Sequence, residues 1–284
     1  MHAGESPCYV ISDIHLGAHN APAEHTLLAL LAHARDHARS LVINGDLFDF
    51  WFEWRTVIPR LAFRTLAALA DLRARGVDIL WIAGNHDCWG GDVLRRDVGV
   101  DYQAGPWAGT IAGWRALIEH GDGLRGREDL RYRVIRPVLR NRLAIAAFRW
   151  VHPDIATRLA AGSSHASRTT RAKDGGAGLR AVALERLASN PDLDLVIFGH
   201  SHVPALERAP GGGVYANSGS WLESPTYLRV TTKRVELRAW DPRADGSPEG
   251  HCLDAFDRRS EKTLSSAQEL LGGVAGNETG RRAR

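Results

Sequence analysis

Apolar residues fall in short runs, each closed by a glycine or by polar residues, and this spacing predicts an alternation of buried strands and helices. Cys8–Ser12 reads as a strand, and Pro22 to about Arg39 as a helix with Leu27, Leu28 and Leu31 on one face. Leu41–Asn44 and Ile79–Ala83 are further strands, separated by a helix from Ile58 to Arg75 that Gly76 stops. A short helix, Gly91–Val98, ends at Gly99, and Ala116–Glu119 is a fourth strand. Strands alternating with helices imply parallel pairing through right-handed crossovers, hence an α/β fold.

From Gly121 to about Asn190 no strand pattern is visible. The residues are rich in arginine, with helical stretches near Asp129–Trp150 and Pro153–Ala161, a small polar loop over Gly162–Gly178 and a returning helix at Ala177–Ser189. Leu195–Phe198 is a fifth buried strand. Val203–Arg208, Val214–Ala216, Tyr227–Thr231 and Val235–Trp240 follow between Gly- and Pro-marked turns and predict a second, antiparallel sheet. Beyond Pro242 the chain turns polar, with a helix expected near Ser260–Leu271 and a disordered end.

Composition narrows this little. The chain has 284 residues, 44% of them hydrophobic and 24% charged, as in an ordinary globular domain. A net charge of +3 does not by itself argue for nucleic acid, and no Lys-rich stripe interleaved with aromatics is present. The basic residues are nearly all arginine; only Lys173, Lys233 and Lys262 are lysines. Three cysteines without paired spacing imply neither a disulfide framework nor a zinc ribbon. No apolar run is long enough to span a bilayer, and the strand at Cys8 leads straight to Asp13, so a cytoplasmic location without a signal peptide is expected.

The chemistry lies in the turns at the strand ends. Five of them repeat one grammar: Ser12-Asp13-Ile14-His15, Gly45-Asp46-Leu47-Phe48-Asp49, Gly84-Asn85-His86-Asp87, His120-Gly121-Asp122 and Gly199-His200-Ser201-His202. In open α/β sheets the carboxyl edge of the strands carries the site. Asp13 and His15, like His200 and His202, are two apart, a spacing that directs both side chains to one side of extended backbone. Asp, Asn and His are hard-to-borderline donors suited to Mn²⁺, Fe²⁺, Zn²⁺ or Co²⁺. Each piece alone is commonplace. All five in order, each after a strand, would crowd many polar groups without partners unless they hold metal.

These motifs resemble the calcineurin-like metallophosphoesterases over roughly the first 220 residues. The resemblance implies a two-sheet sandwich flanked by helices, a domain over residues 1–241 with a helical cap inserted at about 124–176, and a polar tail over 242–284. It implies that Asp13, His15 and His202 bind one divalent ion, that Asn85, His120 and His200 bind a second, and that Asp46 bridges them. His86 takes the place of a histidine that contacts the phosphate and protonates the leaving oxygen. Asp87 would orient His86, with Asp49 either in the same supporting layer or a turn residue. Mn²⁺ heads the expected ions, and in-line attack by a hydroxide bridging the two metals is the expected chemistry.

A narrower resemblance lies in Ser12–Ala18, Asn44–Trp51, His120–Gly123 and Phe148–Asp154, which are similar to UDP-2,3-diacylglucosamine hydrolases of lipid A synthesis. That group cleaves a pyrophosphate to give UMP and a diacylated sugar phosphate. One position departs: its proteobacterial branch carries Arg where this chain has His86. The aromatic run Leu47–Trp54 reads either as a greasy wall for acyl chains or as core beneath the cap. Asp122, Arg168, Arg171 and Lys173 are the candidate substrate contacts, and the arginine-rich insertion suits a pyrophosphate or an anionic membrane surface as well as a solvated helix face. A nucleotide-linked lipid is the expected partner, with no nucleic acid; a soluble phosphoester substrate and a non-catalytic scaffold are the rival readings.

Overall fold

The computed structural model describes residues 7–17, 21–126, 129–159, 174–222, 224–241 and 249–258. Two sheets stack face to face between helical layers. The first runs in the order β12-β11-β10-β1-β2-β3-β4, the second β5-β6-β7-β9-β8. β1 (Cys8–Ile11), β2 (Ser40–Asn44), β3 (Asp78–Ile82) and β4 (Asp101–Gln103) pair in parallel. β10 (Thr226–Val230), β11 (Arg234–Ala239) and β12 (His251–Asp257) extend the sheet antiparallel from β1. In the second sheet, β6 (Trp114–Ile118), β7 (Leu195–Phe198) and β9 (Val214–Asn217) are parallel, and β5 (Trp107–Ile111) and β8 (Ala205–Arg208) flank them antiparallel.

The period-two alternation of a strand explains the layering. Tyr9 and Ile11 point to one face of the first sheet, where Leu27, Leu30 and Leu31 of α1 (Ala21–His37) and Leu66 and Leu69 of α2 (Phe63–Ala74) cover them. Val10 points to the other face and meets Ile118, Ile197 and Ala216 of the second sheet. Val196 and Phe198 then face outward beneath Leu179, Ala183 and Leu187 of α5 (Ala177–Ser189). Between β6 and α5 come α3 (Leu130–Leu139), α4 (Arg142–Phe148) and a helical stretch at residues 153–159. Asn141 caps α4 by accepting from the backbone N–H groups of Leu143 and Ala144. Ile145, Phe148, Val151 and Ala156 of this segment pack on Phe50, Phe52 and Trp54.

Several sequence expectations change. Val203–Ala216 and Tyr227–Trp240 do not form one antiparallel sheet: β8 and β9 join the second sheet, and β10 and β11 the first. β4 and β5 lie where no strand was expected. The polar stretch expected from Pro242 onward returns as β12, whose register with β11 holds an exposed edge strand in the sheet. The short helix before Gly99 is a π-helical turn, Val93–Val98, closed by Gly99 in the left-handed conformation. The helix expected at Ser260–Leu271 lies outside the described residues.

Candidate metal centre

All five motif turns emerge at the carboxyl ends of β1, β2, β3, β6 and β7, so ligands from both sheets meet above the sandwich. Among the described residues, six non-glycine residues have positive φ, and five of them are Asp13, His15, Asp46, His200 and His202. Left-handed backbone costs non-glycine residues free energy, and its concentration here marks loops bent to aim side chains at one point. Gly84 serves the same crowding. A Cβ there would fall on Asp46 Oδ1 and within 2.7 Å of the Asp46 backbone nitrogen.

Among the described residues three groups of side chains converge, each with ligand atoms within 4.8 Å of one another: Asp13, His15 and His202 in the first, Asp46, His120 and His200 in the second, and His15, Asp49 and His86 in the third. In the first, His202 Nε2 lies 3.3 Å from Asp13 Oδ1 and 3.2 Å from His15 Nε2. In the second, His120 Nε2 lies 3.3 Å from Asp46 Oδ2. Donors about 2.1 Å from one ion and roughly a right angle apart stand about 3.0–3.4 Å from each other, so these separations suit shared ions. Asp46 Oδ2 is also 3.9 Å from His15 Nε2 and 3.9 Å from His86 Nε2, the central place a bridging ligand requires.

Supporting contacts fix the rings. His120 Nδ1–H donates to the Asn44 carbonyl at 2.8 Å, which leaves the lone pair on Nε2. The His200 backbone N–H donates to both Asp13 oxygens, at 3.1 and 3.0 Å, and the His86 N–H donates to Asp46 Oδ1 at 2.9 Å. His120 Nε2 and Asn85 Oδ1 are buried without a hydrogen-bond partner. Such atoms are rare in folded proteins, and a cation is the partner that fits both. Burial alone would raise the Asp13 and Asp46 carboxyls, but the facing histidines hold both below the ordinary range. The residues present therefore fit a pair of divalent ions.

The supporting residues depart from expectation in three ways. Asp87 does not orient His86. Its Oδ1 accepts from Gly84 N–H at 2.7 Å, and its Oδ2 accepts from Leu47 N–H at 3.0 Å and Trp81 Nε1–H at 3.2 Å, so it ties two metal-site loops together. Burial, and then the charge of Asp46, push its carboxyl up to about 6. His86 instead donates from Nδ1 to the Asp49 carbonyl at 2.9 Å, and Asp49 Oδ1 stands 3.6 Å from His15 Nδ1. Asp122, expected at substrate, is buried under α3 with Arg140 Nη2 at 3.4 Å and Arg136 Nε at 3.7 Å; two basic side chains one helical turn apart fix it there. Arg168, Arg171 and Lys173 lie outside the described residues.

Near the centre, Asp129 escaped the sequence reading, and Arg125 entered it only as one of the arginines of the basic insertion. Asp129 is buried beside His200, its Oδ1 3.8 Å from His200 Nε2, and Arg125 closes on it. Burial would raise the Asp129 carboxyl, yet the donors around it hold it well below the usual carboxylate range. An acid four residues after an arginine reads as an ordinary surface pair, and no local signal separates it from the other arginines of the insertion.

Beside Asn85 and His86 opens a cavity of about 470 Å³ whose walls are mainly apolar, among them Phe50, Phe52, Trp89, Val138 and Phe148. Within the aromatic run, Phe48 and Trp51 lie in the main core, and Phe50 and Phe52 pack against Phe148 and also line the cavity.

Several known proteins resemble this chain. The chain is 34% identical over 223 residues to a UDP-2,3-diacylglucosamine hydrolase of Porphyromonas gingivalis, covering 70% of this chain and 84% of that protein. It is 29% identical to the enzyme so named from Pectobacterium carotovorum, over 80% of this chain and 96% of that one. A dimetal phosphatase structure from Danio rerio overlays 83% of this chain and 96% of its own at 13% identity, with a TM-score of 0.43. The family model for calcineurin-like phosphoesterases matches residues 6–204. With the family's motif residues converging from both sheets, the chain belongs to the calcineurin-like phosphoesterases and is a metal-dependent hydrolase.

Proposed function

We propose that this protein hydrolyses the pyrophosphate of UDP-2,3-diacylglucosamine to UMP and 2,3-diacylglucosamine 1-phosphate. The observation that carries the reading is the adjacency of the apolar cavity to Asn85 and His86. A substrate with two acyl chains and a pyrophosphate needs a greasy recess opening directly onto the reacting centre. The similarity to enzymes of that name supports the same substrate.

Asp13, His15 and His202 would hold one ion and Asn85, His120 and His200 the other, with Asp46 between them; Mn²⁺ suits this oxygen-and-nitrogen set. Ions bound there would acidify water and neutralise charge developing on phosphorus. His86 would act at the leaving group. Its Nδ1 proton is committed to the Asp49 carbonyl, so Nε2 is the nitrogen that would carry a second proton toward the reacting phosphate. Asp87 acts through the loops it joins. Phe50, Phe52 and Phe148 would exclude water around the acyl chains.

The outer surface of α3, α4 and the residues after them suits an anionic membrane. Val134, Val138, Leu143 and Trp150 are exposed there among Arg133, Arg142 and Arg149. Among the described residues no helix is long and apolar enough to cross a membrane, so contact of this kind would be peripheral.

The deciding experiment is UMP release from UDP-2,3-diacylglucosamine with Mn²⁺ and then with chelator. Chelator-sensitive release is the expected result. No release, with metal-dependent cleavage of bis(p-nitrophenyl) phosphate intact, would move the substrate to another phosphoester.

A further inference from the structure

Arg125 stands where the loop after β6 passes the metal centre, and its side chain is only 11% exposed. Its Nε and Nη2 both donate to Asp129 Oδ1, at 3.1 and 2.8 Å. Asp129 Oδ2 accepts from the backbone N–H groups of Gly123, at 3.1 Å, and Arg125, at 2.9 Å. Four donors therefore surround this carboxylate, which makes it a holder of the guanidinium and leaves little capacity for a base. The stem of Arg125 passes close to Gly178, in the first turn of α5, where an added Cβ would come within 3.3 Å of Arg125 Cγ. Held by Asp129, Arg125 Nη2 lies 3.4 Å from His200 Nε2, at the edge of the second ligand group.

A guanidinium cannot ligate a metal, and it cannot lose its charge at any ordinary pH. Set beside a histidine that holds a divalent ion, it is a second positive centre facing the first. Asp129 offsets that charge from one side, and N–H donors of a guanidinium match the oxygens of a phosphate bound at the centre. We propose that Arg125 is a phosphate-contacting residue of this site, and that Asp129 positions it. Arg125 binds the phosphoryl oxygens from the His200 side of the centre, so that charge gathering on phosphorus in the transition state is met by a positioned donor as well as by bound ions.

The inference rests on the phosphoesterase reading and is independent of the lipid. Its probes are inorganic phosphate, titrated calorimetrically into the metal-loaded protein, and turnover of bis(p-nitrophenyl) phosphate. Arg125→Ala is expected to keep two metals per chain by elemental analysis. Phosphate binding should weaken roughly ten- to a hundredfold, and kcat should fall by at least as much. Arg125→Lys, which keeps the charge and loses the fork, should recover part of the phosphate affinity and decides the matter if the alanine variant does not fold. Wild-type phosphate affinity in a fully metallated variant overturns the proposal. Loss of a metal in both variants also overturns it, because Arg125 would then be a support for His200. Failure of UMP release from the lipid, with these results intact, would remove the substrate assignment alone.

Discussion

The carboxylate of Asp46 occupies the space that a side chain on residue 84 would need: a Cβ on Gly84 would lie 2.9 Å from Asp46 Cγ and closer still to Oδ1. Gly84→Ala therefore has to move the ligand placed between the two metal groups. We expect the variant to keep its far-ultraviolet circular dichroism and to lose metal affinity by about tenfold to a hundredfold, as when a metal-ligand support is lost. Elemental analysis after dialysis against limiting Mn²⁺ reads this directly. Full metal occupancy would show that the loop yields without disturbing Asp46.

His86 gathers with His15 and Asp49 in the third group, and its Nδ1 is engaged by the Asp49 carbonyl. His86→Ala should bind two metals as the parent does and turn over about a hundred- to ten-thousandfold more slowly, the range general acid catalysis supplies. Measuring metal content and kcat on one preparation separates the roles. A parallel loss of both would make His86 a ligand.

Metal removal should cost stability as well as activity. The ligand loops hold left-handed residues and partnerless buried atoms that an ion would satisfy. An ion present at a hundred times its dissociation constant contributes about 2.7 kcal/mol. For a domain of this size that corresponds to about 5–10 °C in Tm. Differential scanning calorimetry with chelator, then with Mn²⁺ restored, gives the number. An unchanged Tm would mean the loops are held without ions.

A carboxylate far from the centre sets an acid limit. The hydrogen bond with His33, against the opposing effect of burial and with help from Arg229, holds Glu249 at about 2, below its ordinary 4.5. The ionised form is bound more tightly in the folded state, so the stabilisation is complete above pH 4.5 and is lost as pH falls from there toward 2. It is on the order of 1–2 kcal/mol after allowing for partial exposure. Glu249→Gln should be less stable than the parent to urea at pH 6, and the gap should close toward pH 2. A gap independent of pH would assign the effect to packing.

The metal ligands were legible because their signal is local. Asp13, Asp46 and His200 follow strands buried on both faces, whose apolar runs mark them and whose ends mark the turns, while Asn85 and His120 follow β3 and β6, apolar strands with one exposed residue each. The allocation of strands was not legible. β9 pairs with β7 and β10 with β1, and nothing within Val214–Asn217 or Thr226–Val230 distinguishes the two sheets; only long-range pairing decides. β12 was hidden by its composition, since an edge strand need bury only part of itself and can read His-Cys-Leu-Asp. Asp87 was misjudged because adjacency to His86 suggested contact, whereas a turn sends neighbouring side chains apart, and this one reached Leu47 and Trp81 instead. Arg125 and Asp129 gain their meaning from His200, some seventy residues further along.

The first ligand group unites Asp13, in the turn after β1, with His202, in the turn after β7 of the other sheet. During synthesis the early residues therefore offer only Asp13 and His15, a pair too weak to retain an ion against water. Competent capture has to wait until β7 has been made and laid beside β6, which brings His202 across. Metal loading would thus act as a checkpoint on assembly: a chain stalled or cut before His202 would lack the third member of the first group, although β1 to β4 had already been made.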